Sequence, residues 1–382
     1  MRLLPRPSGM RFDLAEVGGA FGDLGTFVPL VVSLVAVCHL DVGSVLLFAG
    51  VYNVLTGYLF NQPVPVQPMK AIAAVAIAEG LAPGSIAAAG LGAGAVVFIL
   101  GVTGAVEAIE RHVPRAIVRG IQLGVGLKLL VKGLAMIGAT PAVALDSRLT
   151  AAVAAVFILL VGNRKRVPSA LILFCAGLVL IGFTTPRIVS GLTLGWSGPV
   201  AGFPTGTEWR NGLLLGTLPQ VPLTLFNSVL AVCALSADLF PGRGVGTRAM
   251  ATSVGLMNII GCWFGAMPMC HGAGGLAGQY RFGGRTGGCV VVLGIAKIAV
   301  ALTLGSTAAV LLAAYPVSIL GVLLCFAGTE LSLPARDCTE RDDFFLAVVT
   351  AGGTLAVNTA VGVAIGVLAA VFLTKNQQKN PR

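Results

Sequence analysis

Apolar residues come in runs of thirteen to twenty-four along this chain, separated by short polar or Gly/Pro-containing joints. The runs fall near residues 18–38, 43–60, 64–80, 85–106, 114–131, 149–162 and 168–184, pause over a polar stretch from Thr185 to Asn211, and resume. The second set lies near 212–235, 247–264, 268–280, 287–305, 307–328, 343–357 and 358–373. A helix needs about 20 apolar residues to cross a bilayer. The members at 64–80 and 268–280 are too short or too broken to do so. The first carries Asn61-Gln62-Pro63-Val64-Pro65-Val66-Gln67-Pro68-Met69-Lys70. Each proline removes an N–H and clashes with the preceding turn, so a helix stops there. Non-helical backbone at membrane depth survives only where protein buries it or it lines a wet cavity.

The two sets correspond. Leu24-Gly25-Thr26 with Pro29 is echoed by Leu215-Gly216-Thr217 with Pro222, Asn53 before Pro63 by Asn258 before Pro268, and Pro114 by Pro316. Their common order predicts an internal duplication, with repeats at about 12–184 and 212–373 inside a single transmembrane domain covering 1–382. Seven spans is an odd number, so the second copy is inverted. Inverted repeats with broken helices are the mark of secondary transporters.

Charge supports an even number of crossings. With the N-terminus inside, the inside segments hold Arg2, Arg6, Arg11, Arg111, Arg115, Arg119, Arg164, Lys165, Arg166, Arg243, Arg248, Arg281, Arg285, Arg336, Arg341, Lys375, Lys379 and Arg382. The outside loops hold only Arg148, Arg187 and Arg210. Positive residues collect on the cytoplasmic side. Both termini are therefore expected in the cytoplasm, and the protein in the cell membrane. Thr185 to Asn211, outside, is expected to tolerate change.

Composition agrees. Hydrophobic residues are 56% of the 382, charged residues 10%, and there are 52 glycines; mean hydropathy is +0.93. Small residues let membrane helices approach closely. The low aromatic content argues against a lipid-facing barrel. The net charge of +10 is topological, without the aromatic-laced basic patch that nucleic acid requires. The cysteines are scattered with no Cys-x-x-Cys pair, so no metal or cofactor is expected. Gly-x-x-x-x-Gly-Lys-Ser/Thr, Gly-x-Ser-x-Gly and His-Glu-x-x-His are all absent. ATP drive and an enzymatic role are therefore not expected.

The residues able to carry chemistry cluster at the breaks. Lys70 follows the first, where a helix N-terminus adds about half a positive charge; a structural pair with Asp23 or Glu79 is the alternative. Pro268-Met269-Cys270-His271-Gly272-Ala273-Gly274-Gly275 forms the mirrored break, with glycine N–H groups able to cradle an oxyanion. His271 is a donor, a proton shuttle or simply a satisfied hydrogen-bonder. Asp23 is either a proton-coupling carboxylate or the counter-ion of Lys70. Gln220 and Asn227 bracket Pro222 and face the same region.

Three motifs resemble one family. Phe21-Gly-Asp-Leu-Gly-Thr-Phe-Val-Pro29, Gln67-Pro-Met-Lys-Ala-Ile-Ala-Ala74 and Met267-Pro-Met-Cys-His-Gly-Ala-Gly-Gly-Leu-Ala-Gly-Gln-Tyr-Arg-Phe-Gly283 resemble the plant-and-bacterial molybdate transporters, a branch related to the SulP sulfate permeases. The resemblance runs from about 12 to 373. It implies an all-α, seven-plus-seven inverted repeat, with half-helices at spans 3 and 10 facing each other across the substrate. SulP proteins usually add a soluble STAS domain, which is not expected here. The implied function is secondary active uptake of a tetrahedral oxyanion, molybdate first, with proton coupling. Sulfate transport, a nucleobase permease and a non-transporting membrane protein are the alternatives. The candidate substrate site is Thr26, Gln67, Met69, Lys70, Ala71, Gln220, His271, Gly272, Ala273 and Gly274, with Asp23 for the proton. The expected partners are the oxyanion, the bilayer, coupling protons and a second copy in a homodimer.

Overall fold

The computed structural model describes residues 9–161 and 167–379. Arg2, Arg6, Arg164, Lys165, Arg166 and Arg382 of the charge count lie outside them. Fourteen helical segments follow the two sets of apolar runs. The first repeat holds α1 (Leu14–Cys38), α2 (Val42–Phe60), α3 (Lys70–Glu79), α4 (Pro83–Val102), α5 (Arg115–Gly138), α6 (Arg148–Val161) and α7 (Ser169–Thr184). The second holds α8 (Gly206–Leu239), α9 (Thr247–Gly261), α10 (Ala273–Arg281), α11 (Gly288–Ala313), α12 (Val317–Ser332), α13 (Arg341–Ala356) and α14 (Thr359–Lys379). Seven of these segments are long and apolar enough to cross a membrane, and three more are shorter apolar helices. The chain is an integral membrane protein.

The helix ends follow local chemistry. Asp13 starts α1 by accepting from the N–H groups of Ala15 and Glu16 at 3.1 and 3.0 Å, and Asp41 starts α2 through Ser44 N at 2.7 Å. A side-chain oxygen there replaces an acceptor the helix cannot supply. Gly80 ends α3 in the left-handed region at φ 61°, which glycine enters without a Cβ penalty. Two boundaries differ from the hydrophobic pattern. The run at 307–328 is not one span: Pro316 ends it, α11 extends to Ala313, and α12 begins at Val317, where Asp146 accepts from the N–H groups of Val317 and Ser318. The fold is also not purely α. The breaks contain strands, β1 (Val66–Pro68) and β2 (Met269–His271), paired antiparallel.

Glycine sets the closest helix contacts. On α2 and α11, a Cβ at Gly50 would lie 2.7 Å from the Gly294 oxygen, and one at Gly294 would lie 2.6 Å from the Gly50 oxygen. The α5–α12 pair repeats this twice, at Gly126 with Gly328 and Gly133 with Gly321, all at 2.5–2.8 Å. Backbones pack directly because no side chain intervenes.

The Thr185–Asn211 connection is strapped down rather than loose. Gly195 N–H donates to Thr303 O at 2.9 Å, Gly202 N–H to Trp263 O at 3.1 Å, and Ser44 Oγ to Gly198 O at 3.1 Å. A Cβ on Gly43 would overlap Ser197. The tolerance expected of this stretch therefore fails to include its contacts with α2, α9 and α11.

At the opposite end from that strap, Arg119 of α5 is 2% exposed and holds three elements. It grips Asp238 of α8 with two nitrogens, donates to Asp337 after α12 at 2.8 Å, and to Gln122 at 3.0 Å. Arg115 reaches the same carboxylates from a side chain that is 74% exposed. Removing one partner of a buried pair strands the other charge. Asp238→Ala is expected to cost about 3 kcal/mol in thermal melts of detergent-solubilised protein, and Arg115→Ala under about 1 kcal/mol. Equal losses for the two would show that burial of Arg119 is not what makes the joint matter.

Candidate functional site

The site is built on the β1–β2 ribbon. Its register pairs Val66 with His271, Gln67 with Cys270 and Pro68 with Met269, and Met69 N–H donates to Pro268 O at 2.8 Å. α3 follows one strand and α10 follows the other, and because the strands are antiparallel the two half-helices leave from opposite ends of the ribbon. Two asparagines anchor the strands. Asn53 of α2 accepts from Val66 N–H at 2.8 Å. Asn258 of α9 accepts from Met269 N–H at 2.7 Å and donates to Met269 O at 2.6 Å. These are the paired asparagines of the sequence repeat. Each satisfies strand backbone that has no helix to bond to.

At α10 the N-terminal donors are open. Gly272 caps the helix without any side-chain bond, and the N–H groups of Ala273 and Gly274 have no acceptor among the described residues. Gly272 is forced by space: a Cβ there would overlap the Gln67 amide. Gly274 faces Leu129 of α5. At α3 the donors are taken, since Gln220 Oε1 accepts from Ala71 N–H at 2.9 Å and Ile72 N–H at 3.2 Å.

Charge surrounds the ribbon. Lys70, the first residue of α3, is half-buried. It forms none of the ion pairs found among the described residues. The structural pairing with Asp23 or Glu79 is therefore absent, and Glu79 is exposed at the far end of α3. Asp23 is 3% exposed and accepts from Gln67 Nε2. Its Oδ2 and the Gln67 Oε1 are buried with no hydrogen-bond partner. Lys297 of α11 is 6% exposed, its ammonium 3.6 Å above the Phe27 ring and 3.5 Å from Val66 O. Lys297 is not among the candidate residues read from the sequence. The signal available was its place in an otherwise apolar helix, where a charge is costly and marks function or pairing.

The other candidates take varied positions. Thr26 is buried on α1, Met69 is 1% exposed at the strand end, and Ala273 is fully buried. His271 is fully buried and engaged at both ring nitrogens, with Ser253 Oγ 3.1 Å from Nε2 and Pro65 O 3.4 Å from Nδ1. A carbonyl can only accept, so Nδ1 carries the proton and Nε2 accepts from the Ser253 hydroxyl. Its ring also packs edge-on to Phe60. Asn227 is buried with Oδ1 unpartnered.

The comparisons with known proteins agree with each other. A family profile described as "Molybdate transporter of MFS superfamily" matches residues 15–129 and 212–331. Molybdate transporter 1 of Arabidopsis thaliana is 43% identical over 404 residues, covering 95% of this chain and 89% of that protein. Molybdate transporter 2 of the same plant is 41% identical, covering 94% and 87%. Molybdate transporter 1 of Chlamydomonas reinhardtii is 32% identical, covering 95% and 92%. Among solved structures, SLC26A9 superposes with a TM-score of 0.63 at 15% identity, over 94% of this chain and 65% of that one. The transmembrane domain of the cyanobacterial bicarbonate transporter BicA gives 0.57 at 14% identity, over 92% and 97%. At such identities the likeness is one of fold, and it is the seven-plus-seven inverted repeat with half-helices at the third and tenth spans.

The two asparagine anchors are unequal, which gives a test of the ribbon. Asn258→Ala removes both bonds to Met269 and is expected to cost about 2–3 kcal/mol in thermal melts. Asn53→Ala removes one and should cost about 1 kcal/mol. A milder effect at Asn258 than at Asn53 would refute this account of the anchoring.

Proposed function

The chain belongs to the molybdate transporter family, and from that premise we propose that it is a secondary active transporter importing a tetrahedral oxyanion, molybdate. The observation that carries this reading is the pair of half-helices beginning at one buried ribbon, with open N–H donors on α10 and, at the start of α3, a Lys70 ammonium that forms no ion pair among the described residues. Helix N-termini attract anions through free donors and about half a unit of positive charge. We read residues 12–184 and 212–373 as the two repeats. By the charge rule both termini lie in the cytoplasm and the bilayer is the cell membrane.

The binding set we propose is Lys70 with the backbone of Ala273 and Gly274, Gly272 and Gln67 shaping the floor. Thr26 and Met69 line the approach, Gln220 and Ala71 form the α3 side, and His271 braces β2 rather than touching the anion. Sulfate is the rival substrate, because it shares molybdate's charge and shape. Uptake of labelled molybdate by proteoliposomes, competed with sulfate, tungstate and uracil, tests the reading. It fails if no labelled oxyanion enters, and sulfate replaces molybdate if sulfate competes better.

Lys70→Ala should lower molybdate uptake about ten- to hundredfold, the range for losing a charged hydrogen bond, while the protein still reaches the membrane. Normal uptake by a well-inserted Lys70→Ala protein would remove the lysine from the site.

Importing a dianion against a negative-inside potential costs about 2.3 kcal/mol per charge per 100 mV, so cations must accompany it. We propose that a proton on Asp23 is one of them. The unpartnered Asp23 Oδ2 beside the unpartnered Gln67 Oε1 is a pair of buried acceptors that lacks a hydrogen. Asp23→Asn should abolish accumulation driven by a pH gradient and leave molybdate counterflow partly intact. Wild-type uptake indifferent to an imposed pH gradient would leave Asp23 only the role of counter-ion to Lys297 and Lys70.

A further inference from the structure

The two half-helices are related by the repeat, yet their N-termini are in different chemical states. α10 offers unbonded N–H groups at Ala273 and Gly274. On α3, Ala71, which matches Gly274 in helix position, and Ile72, the next residue, converge on a single oxygen, Gln220 Oε1, at 2.9 and 3.2 Å. That oxygen stands where an oxyanion oxygen would stand. Gln220 is fully buried, and its other end is fixed, Nε2 donating to Thr224 Oγ1 at 2.8 Å. The residue is held by unusual backbone: α8 is π-helical over Gly212–Thr217 and Thr224–Ala231, with one α-helical turn, Leu218–Leu223, between them. Such wide turns reposition side chains and recur at functional sites.

We propose that Gln220 is a built-in, uncharged occupant of one of two oxyanion subsites, so that the substrate docks on α10 and Lys70 while α3 stays capped. The inference rests on the transport reading above and assigns Gln220 a role opposite to that of a direct ligand. A ligand's removal weakens binding, whereas an occupant's removal frees two donors. The charge of the residue matters for the same reason. Glutamine satisfies the donors and leaves the positive charges around the ribbon to the substrate. Glutamate would satisfy them equally well and cancel one of those charges, which penalises a dianion more than a monoanion.

Equilibrium binding to purified full-length protein tests this, with molybdate as the dianion and perrhenate as a tetrahedral monoanion. Gln220→Ala should bind molybdate at least threefold more tightly than the wild type; unchanged or weaker binding overturns the proposal. Gln220→Ser makes the same space if the alanine variant fails to insert. Gln220→Glu should reduce the preference for molybdate over perrhenate at least tenfold, and an unchanged preference overturns the charge argument. A wild-type protein that binds neither anion would instead defeat the transport reading itself.

Discussion

The constraint on which the structure depends is the pairing of two three-residue strands at membrane depth. Lipid supplies no hydrogen-bond partner, so every N–H and carbonyl freed by the prolines must be met from within the protein. The ribbon meets part of that need by pairing Val66–Pro68 with Met269–His271. Asn53 and Asn258 meet more of it from the flanking helices. Once the strands are fixed, α3 and α10 have to start at the two ends of the same ribbon, and the open end of α10 defines a place for negative charge. Close glycine packing between α2 and α11 then brings Lys297 up to the same ribbon.

The electrostatics of the site follow from that geometry. Lys297 and Lys70 bring positive charge to a carboxylate, Asp23, that neither touches within ion-pair distance among the described residues. An arrangement with surplus positive charge and few satisfied pairs is poor for stability and suited to a site that is filled by an anion. The contrast with Arg119 is instructive. There two carboxylates and an amide meet one buried guanidinium, and the result is a joint between helices.

Much of this was legible in the sequence for physical reasons. Three prolines in six residues can only break a helix, and the repeated spacing of Asn53 to Pro63 and Asn258 to Pro268 marked the duplicated break. The apolar runs marked the helices. What the sequence hid were features without periodicity. Strands of three residues are too short to alternate, so the ribbon could not be read. Lys297 has no motif, and its partners lie on other helices. Gln220 was readable as a polar residue near the cavity, but not as the acceptor for α3, because that depends on π-helical turns that no local pattern encodes. Pro316 was readable as the opening of a span, but apolar residues on both sides hid that the preceding helix runs on to Ala313. The Thr185–Asn211 strap looked like a linker because its bonds are made by backbone, which composition does not report.

The ribbon also has a consequence in time. Pro65 and His271, which meet across it, are 206 residues apart. At a synthesis rate of about 5–20 residues per second, β2 leaves the ribosome about 10–40 s after β1. Through that interval the first break has no strand to pair with and no α10 opposite it. The nascent half-protein must therefore wait at the insertion machinery or the wet interface with its backbone solvated. Assembly of the binding site therefore waits on synthesis of the second repeat.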